Sequence, residues 1–343
     1  MNSFGRIFRI SIFGESHGES VGIVVDGCPA GMPLTIADFL PDLERRKGGT
    51  QKGTTPRQEE DLPIFKSGIF NHKTTGAPLT ILFENKNVRS GDYEKQRDVP
   101  RPGHADFVAH KKFAGFEDYR GSGHFSGRLT VALVAAGVIA KKILLNASSP
   151  SASGEAIEVK STILEIGGEK DLDKGLQKAI EAKDSIGGII ECRVAGLPVG
   201  LGEPFFDSAE SLLSHMVFAI PAVRGIEFGT GFAAAKMFGS EHNDAIENME
   251  GKTRTNHAGG IVGGLTNGNE LVFRIGIKPT SSTPKEQITL NWETGQVEAA
   301  SVKGRHDLCI ALRAPVILEA VTAIVLADLM TLEQRIPRIY RGN

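Results

Sequence analysis

Residues 128–145 read RLTVALVAAGVIAKKILL, and this stretch, rich in alanine, valine and leucine, predicts an α-helix. A second apolar stretch, PVILEAVTAIVLADLM at residues 315–330, predicts another long helix. Its proline lies in the first turn, where a missing N–H is tolerated. The apolar part of the first stretch, residues 129–140, has 12 residues, whereas a membrane-spanning helix needs about 20. We therefore expect no membrane span.

Short strand-like and helix-like segments surround these two helices. The strand-like segments are 8–13, 21–25, 64–70, 79–84, 157–166, 188–194 and 271–277, and the helix-like ones are 35–46, 106–119, 172–182 and 208–218. Because strands and helices do not alternate strictly, the pattern favours an α+β fold over a doubly wound sheet. The sequence contains no linker, low-complexity tract or repeat, so we expect one domain over residues 1–343.

Composition and charge are those of an ordinary soluble protein. The chain is 40% hydrophobic and 23% charged, with a formal net charge of -2, which argues against nucleic-acid or membrane-surface binding. Any anion site must therefore be a local cluster. Cys28, Cys192 and Cys309 lie far apart without a C-x-x-C pair, and the N-terminus has no apolar signal core. These features predict a cytoplasmic protein without disulfides.

Three stretches of sequence resemble familiar functional motifs but do not meet the requirements of those motifs. GESHG at 14–18 matches the G-x-S-x-G of α/β-hydrolases, but it comes too early in the chain and precedes a strand-like segment rather than a helix. GKT at 251–253 lacks the glycine that a phosphate-binding loop requires five residues before Gly251. His104 and His110 are too widely spaced for one helical face, and no Cys/His cluster supports zinc. We expect no metal site.

A basic loop lies between residues 45 and 57. It contains Arg45, Arg46, Lys47, Lys52 and Arg57 among glycine and threonine, with no acidic residue. Cations, hydroxyl groups and accessible backbone N–H groups suit phosphate and carboxylate recognition. A solvated basic loop explains the same run equally well.

Five further polar clusters are scattered along the chain: RPGHAD at 101–106, YRGSGHFSGR at 119–128, NHAGGIVGG at 256–264, KPTSS at 278–282 and GRHD at 304–307. The second is a glycine-rich loop that opens a helix, where backbone N–H groups bind anions. The third is dense enough in glycine to let backbone lie along a flat ring. Each alone is explained by a surface loop, but together they indicate a single binding site.

In their order and spacing these motifs resemble the chorismate synthase family. The resemblance runs nearly end to end and includes GESHG at 14–18, DLERR at 42–46, DSIGG at 184–188 and GLGEP at 200–204. It implies a lyase that converts 5-enolpyruvylshikimate 3-phosphate to chorismate and phosphate by anti-1,4-elimination. It also implies reduced FMN as cofactor without net redox change. The expected structure is a homotetramer whose subunit is a β-α-β sandwich with central helices between antiparallel sheets.

The resemblance also implies roles for individual residues. His17 is expected to serve the flavin, His104 the departing phosphate, and Asp307 the flavin N5 during loss of the ring proton; an imidazole titrates near neutrality, as such roles require. The expected substrate-binding residues are Arg46, Lys52, Arg101 and Arg128. The positions that match FMN-binding residues are His124, Phe125, Ser126, Pro221, Ala222, Gly263, Lys278, Pro279, Thr280, Ser281, Ser282 and Arg305.

This chain departs from the family pattern at three places. Lys52 stands where the family usually has arginine, so the charge remains but a bidentate fork is lost. The segment 124–126 reads HFS where many members have Arg-Ser-Ser, which replaces a fixed cation with a titratable group. Pro221 stands where many members have asparagine, so an amide and a backbone donor are missing.

Two other functions fit parts of the pattern. A flavin-dependent oxidoreductase would share the FMN pocket, and a non-catalytic flavin- or anion-binding module would share the cations. His17, His104 and Asp307 beside the basic cluster favour elimination, because a binding module needs no acid or base. The chain has no added segment for an intrinsic NADPH-dependent reductase, so we expect a separate flavin reductase, with NADPH as an indirect reductant.

Overall fold

The computed structural model describes residues 1–49, 51–56, 59–87, 97–147, 156–302 and 306–340. The helices in these residues are α1 (Ile36–Arg46), α2 (Asp106–Phe113), α3 (Thr130–Leu145), α4 (Leu172–Ala182), α5 (Ala209–Val217), α6 (Gly239–His242) and α7 (Ala314–Leu332). The strands are β1 (Ser3–Phe4), β2 (Arg9–Gly14), β3 (Ser20–Asp26), β4 (Ile64–Ser67), β5 (Ile69–Phe70), β6 (Lys73–Thr74), β7 (Leu79–Glu84), β8 (Glu158–Ile166), β9 (Gly188–Ala195), β10 (Val223–Phe228), β11 (Ile261–Val262), β12 (Leu265–Thr266), β13 (Leu271–Ile277), β14 (Gln287–Asn291) and β15 (Gln296–Ala300).

The two apolar helices α3 and α7 pack against each other at the centre of the molecule. Almost every residue of both helices is buried, as expected of helices that are apolar on all sides. Gly137 allows their close approach, because an added Cβ there would lie 2.3 Å from the Cβ of Ala320. Within the described ranges, α7 is the one helix long and apolar enough to cross a membrane, and 83% of its apolar window is buried inside the protein.

An antiparallel sheet with strand order β1-β2-β3-β7-β4 covers α3. Its inner face is built by alternation, since Val21, Ile23 and Val25 of β3 are all fully buried. Each such side chain contributes roughly 1.5–3 kcal/mol of burial free energy. A second antiparallel sheet, β10-β13-β9-β8, contacts α7 through β8 and β9.

The helix pair therefore lies between two antiparallel sheets, and the predicted α+β sandwich is confirmed. Several details differ from the sequence predictions. Strand β10 and the β14–β15 hairpin were not predicted. The predicted strand 64–70 is interrupted at Gly68, which has φ +83°, and the predicted helix 106–119 ends when Ala114 turns to φ +53°. Pro41 lies inside α1 without ending it.

The N-terminal segment is fixed to the central helices by a buried carboxylate. Asp328 of α7 accepts hydrogen bonds from the backbone N–H groups of Arg6, Ile7 and Phe8 at 2.9, 2.8 and 2.9 Å. Three backbone donors are thereby satisfied at the entry to β2. This anchor places the β2–β3 turn, which carries the GESHG motif.

Candidate active site

A cavity of about 570 Å³ opens beside the N-terminal ends of α3 and α7. Its walls come from segments far apart in the sequence: Ile12, the end of α1 and the loop after it, residues 101–105, the segment leading into α3, residues 219–222, residues 277–282, and residues 306–317. Five of the six predicted polar clusters, including the basic loop, thus meet at one cavity.

Two arginines in the cavity wall share one carboxylate. Arg46 donates from Nη2 to Asp61 Oδ2 at 2.6 Å, and Arg128 donates from Nη1 to Asp61 Oδ1. Both arginine side chains are 4% exposed and that of Asp61 is 0% exposed. Burial alone would raise the pKa of Asp61, but the two guanidinium groups hold it below its usual value. The triad is therefore one positive charge in excess.

The triad also has an unused donor. Within the described part of the chain, Arg46 Nε is buried and has no hydrogen-bond partner. A buried donor without an acceptor costs roughly 1–3 kcal/mol, more for a charged group. An anionic ligand in the cavity would supply both the acceptor and the missing charge.

Arg101, His104 and Asp106 form a second cluster. Arg101 binds Asp106 as a fork, donating from Nε to Oδ2 at 2.8 Å and from Nη2 to Oδ1 at 2.7 Å. His104 Nδ1 lies 2.6 Å from Asp106 Oδ1. Arg101 also donates to the Ser282 hydroxyl at 3.0 Å, so the RPGHAD and KPTSS motifs touch. Burial lowers the pKa of His104, and the hydrogen bond to Asp106 opposes that shift.

Asp307 lines the cavity and is paired with Arg313. Arg313 Nη1 is 2.9 Å from Oδ2 and 3.2 Å from Oδ1 of Asp307, and the Thr55 N–H donates to Oδ1 at 2.8 Å. Arg313 Nε donates to the carbonyl oxygen of Arg46 at 2.7 Å. One arginine thus ties Asp307 to the residue that begins the basic loop.

The KPTSS loop docks on the RPGHAD turn. Lys278 Nζ donates to Ser281 Oγ at 2.8 Å, and Ser281 Oγ donates to the Gly103 carbonyl at 2.8 Å. Burial lowers the pKa of Lys278, and Arg224 adds to the shift. Among the described residues, Thr280 Oγ1 finds no hydrogen-bond partner although it is buried. The loop therefore contributes to the cavity wall a residue whose hydroxyl is buried and unpaired among the described residues.

The two departures in the predicted FMN positions also lie at the cavity. His124 Nδ1 is 2.8 Å from the Gly14 carbonyl, which can only accept, so this nitrogen carries a proton. Pro221 precedes Ala222, whose φ is +73° and whose carbonyl accepts from the N–H of Lys278 at 2.9 Å. The residue after Pro221 therefore supports the KPTSS loop through its backbone carbonyl.

Most predicted site residues line this cavity. They are Arg46, Arg101, His104, His124, Phe125, Ser126, Arg128, Pro221, Ala222, Lys278, Thr280, Ser281, Ser282 and Asp307. Lys52 and Pro279 are exposed and do not line it. Gly263 lies in the β11–β12 turn with φ +63°, away from the cavity wall. Arg305 lies outside the described residues.

His17 lies directly behind the wall. It is 7% exposed, and a Cβ added to the cavity-lining Gly121 would come within 2.5 Å of His17 Nε2. The N–H of Ser16 donates to the Gly123 carbonyl at 3.1 Å. The GESHG turn is thus held against the glycine-rich loop, and Gly121 allows the imidazole to approach it.

Two charged residues of the site, Asp61 and Arg313, were missed by sequence reasoning. Asp61 follows two exposed or half-buried acids and shows no pattern of its own; its backbone takes φ +52°. Arg313 does leave a signal, because a cation at the start of an apolar helix is unfavourable to the helix dipole. Such a cation indicates that an anion lies nearby, and in this structure that anion is Asp307.

The cavity wall contains more buried arginines than buried acidic residues, and an imidazole–carboxylate pair lies beside them. This combination defines an enzyme site for an anionic ligand. The family model described as chorismate synthase matches residues 8–331. The chorismate synthase of Chitinophaga pinensis is 69% identical over 342 residues, with 100% of both chains covered. That of Methanocaldococcus jannaschii is 42% identical over 364 residues, with 96% of both covered.

A solved structure agrees with the sequence relatives. A crystal structure of chorismate synthase superposes with a TM-score of 0.71 and 25% identity, covering 96% of this chain and 93% of the other. The chain belongs to the chorismate synthase family, a family of carbon–oxygen lyases. The resemblance predicted from the motifs is thereby confirmed.

Proposed function

We propose that this chain eliminates phosphate from 5-enolpyruvylshikimate 3-phosphate in an anti-1,4 sense to give chorismate, with reduced FMN as cofactor. The observation that carries the proposal is the buried triad Arg46–Asp61–Arg128, which lines the cavity, has an excess positive charge and includes a buried Nε donor that is not used. The substrate carries two carboxylates and a phosphate, and FMN adds a second phosphate. Such charge in a buried pocket requires cations, since an unpaired buried anion costs several kcal/mol.

Three arginines are suited to the substrate. Arg46 and Arg128 each have guanidinium donors beyond those used on Asp61, and Arg101 lines the same cavity. Their forks suit carboxylate and phosphate oxygens. Lys52, expected at a fourth position, is exposed, and its role in binding remains a prediction.

The residues present fit FMN. The cavity volume of about 570 Å³ lies within the range of ligand pockets, and the free hydroxyl of Thr280 provides a donor. The residues 278–282, 124–126 and 221–222 would hold the cofactor. When bound, the reduced flavin supplies an electron-rich ring beside the substrate. Reduction would come from a separate flavin reductase, with NADPH as the indirect source.

The acid and base roles follow from position. His104 would give a proton to the departing phosphate, since its imidazole lines the cavity beside Arg101. Asp307, whose ion pair with Arg313 is 2.9 Å long, would take part in removing the ring proton. His17 would act on the flavin from behind Gly121. One proton and one phosphate leave the substrate, so the electron count is balanced.

The proposal extends to a cytoplasmic homotetramer of single-domain subunits. The helix pair contacts both sheets, which supports one domain. The large apolar side chains that support association are exposed on the segment from 205 to 249: Phe205, Phe206, Phe232, Phe238, Ile246 and Met249. Exposed apolar side chains that form a contiguous surface mark protein–protein contacts. Sedimentation analysis at several protein concentrations tests the tetramer; a monomer throughout would contradict it.

The activity is tested anaerobically with dithionite-reduced FMN and 5-enolpyruvylshikimate 3-phosphate. Chorismate absorbance and phosphate release should rise together, one for one, with no net flavin oxidation. Net flavin oxidation coupled to another acceptor would instead favour the oxidoreductase. Flavin binding with neither product nor oxidation would favour a binding module.

A further inference from the structure

Asp106 occupies the first turn of α2, and its carboxylate contacts two residues of the preceding turn. Oδ1 accepts from Arg101 Nη2 at 2.7 Å and lies 2.6 Å from His104 Nδ1, while Oδ2 accepts from Arg101 Nε at 2.8 Å. Asp106 does not line the 570 Å³ cavity. It lines a second cavity of about 440 Å³ that shares Arg101, His104 and Ser122 with the first. Asp106 therefore stands behind the wall that faces the substrate.

The short contact fixes the tautomer of His104. Burial alone would raise the pKa of Asp106, but hydrogen bonds from Arg101 and His104 hold it far below its usual range. Arg101 Nη2 also lies 3.0 Å from His104 Nδ1, but the carboxylate oxygen is nearer, at 2.6 Å. An ionised carboxylate can only accept, so the proton between Asp106 and His104 belongs to Nδ1. Nε2, which lies 3.3 Å from the Ser122 hydroxyl, is left as the nitrogen that gains and loses a proton.

We propose that Asp106 is a positioning residue for the elimination: its one carboxylate sets the guanidinium plane of Arg101 for the anionic substrate and keeps the exchangeable proton of His104 on Nε2. The inference rests on the proposed function of this site. An acidic residue in the first turn of a helix usually stabilises that helix by about 0.3–1 kcal/mol. The role proposed for Asp106 goes beyond this stabilisation.

Substitution by asparagine changes the group that His104 meets. Oδ2 accepts from both the backbone N–H and Nε of Arg101, so the side-chain oxygen of Asp106→Asn would take that place. Its NH₂ group would then take the place of Oδ1, facing His104 and losing the bond to Arg101 Nη2. That geometry turns Nδ1 into an acceptor and moves the proton to Nε2. A buried Asp-to-Asn change behind a catalytic histidine is known to lower turnover about 10⁴-fold through the wrong tautomer in serine proteases.

The pH profile should change as well. The charged groups around His104 are Arg101, Lys278 and Asp106; the two cations lower its pKa and the carboxylate raises it. Without the carboxylate the pKa of His104 falls further. Because the protonated imidazole gives its proton to the phosphate, activity is lost as pH rises through this pKa. The alkaline limb of kcat/KM should therefore move to lower pH in Asp106→Asn.

The matched control is Glu117→Gln. Glu117 Oε1 lies 3.1 Å from His110 Nδ1, which makes a second carboxylate–imidazole pair beside the same helix, outside the 570 Å³ cavity. We expect it to leave turnover and the pH profile near those of the wild type. Asp106→Asn should lower kcat by about 10²- to 10⁴-fold, while FMN binding, followed by its fluorescence, is retained.

Neutron crystallography of the deuterated protein determines the tautomer of His104 independently of any activity measurement. Wild-type His104 should carry deuterium on Nδ1, and the Asp106→Asn variant should carry it on Nε2. Deuterium on Nε2 alone in the wild type would overturn the inference, even if the variant does not fold. An active wild type whose Asp106→Asn variant keeps both its rate and its pH limb would also overturn it. A wild type with the expected tautomer but no elimination would instead refute the proposed function.

Discussion

The helix pair α3–α7 and the cavity wall beside it are both buried, but different forces hold them. The helices meet through apolar packing, with Gly137 against Ala320. The wall is held by paired charges, of which Arg46–Asp61–Arg128 is the most deeply buried. Packing energy is spread over many weak contacts, whereas the energy of a buried ion pair depends on a few atoms. Changes in the first region should therefore affect stability, and changes in the second should affect chemistry as well.

The largest expected effect is on the chemistry of the wall. Asp307→Asn removes the anion that Arg313 binds at 2.9 Å. If Asp307 takes part in proton removal, turnover should fall about 10²- to 10⁴-fold while FMN remains bound. The measurement is single-turnover anaerobic kinetics with an FMN titration in parallel. A rate close to that of the wild type would show that Asp307 has no such part.

The next effect concerns stability of the wall. Asp61→Asn leaves two buried guanidinium groups without a counter-charge, so the free energy of unfolding should fall by about 3–5 kcal/mol. Urea-induced unfolding measures it. Glu158→Gln is the control, because Glu158 pairs with Lys160 on the surface, where such pairs contribute about 0–1 kcal/mol. Equal stability of the two variants would contradict the account of the triad.

A smaller effect is expected in the helix pair. Gly137→Ala places a methyl group where Ala320 already lies, so the helices must separate, at a cost of about 1–3 kcal/mol. Turnover per folded molecule should stay near that of the wild type. Gly239→Ala is the control, since a Cβ there meets nothing within 4 Å. A large loss of turnover in folded Gly137→Ala protein would contradict the expectation that changes in the helix pair affect stability alone.

The helix pair was predictable because its signal is local. An apolar run of the right length predicts a buried helix wherever it packs, and α4 and β13 were predicted with their observed bounds, Leu172–Ala182 and Leu271–Ile277. The arrangement of helices between two sheets was implied by the family resemblance alone. Strand β10 escaped prediction because its pairing with β13 depends on residues about 50 positions away.

The wall was predictable only in part. The motifs named Arg46, Arg101, Arg128, His104 and His124, which meet at the cavity, but they did not name Asp61, the counter-ion of Arg46 and Arg128. Arg128 meets Asp61 across 67 residues of sequence, and no local spacing encodes such a pairing. Lys52 and Gly263 matched the family pattern but do not line this cavity. A motif specifies which residue types are present, whereas their position relative to the cavity depends on the fold.

The central claim is that the excess charge of the Arg46–Asp61–Arg128 triad binds the substrate's anionic groups. A crystal structure of the protein with FMN and 5-enolpyruvylshikimate 3-phosphate tests it directly. The account predicts a carboxylate or phosphate oxygen within hydrogen-bond distance of Arg46 Nε, with the flavin beside residues 278–282. Substrate density at another surface, with Arg46 Nε still unpaired in the cavity, would contradict it.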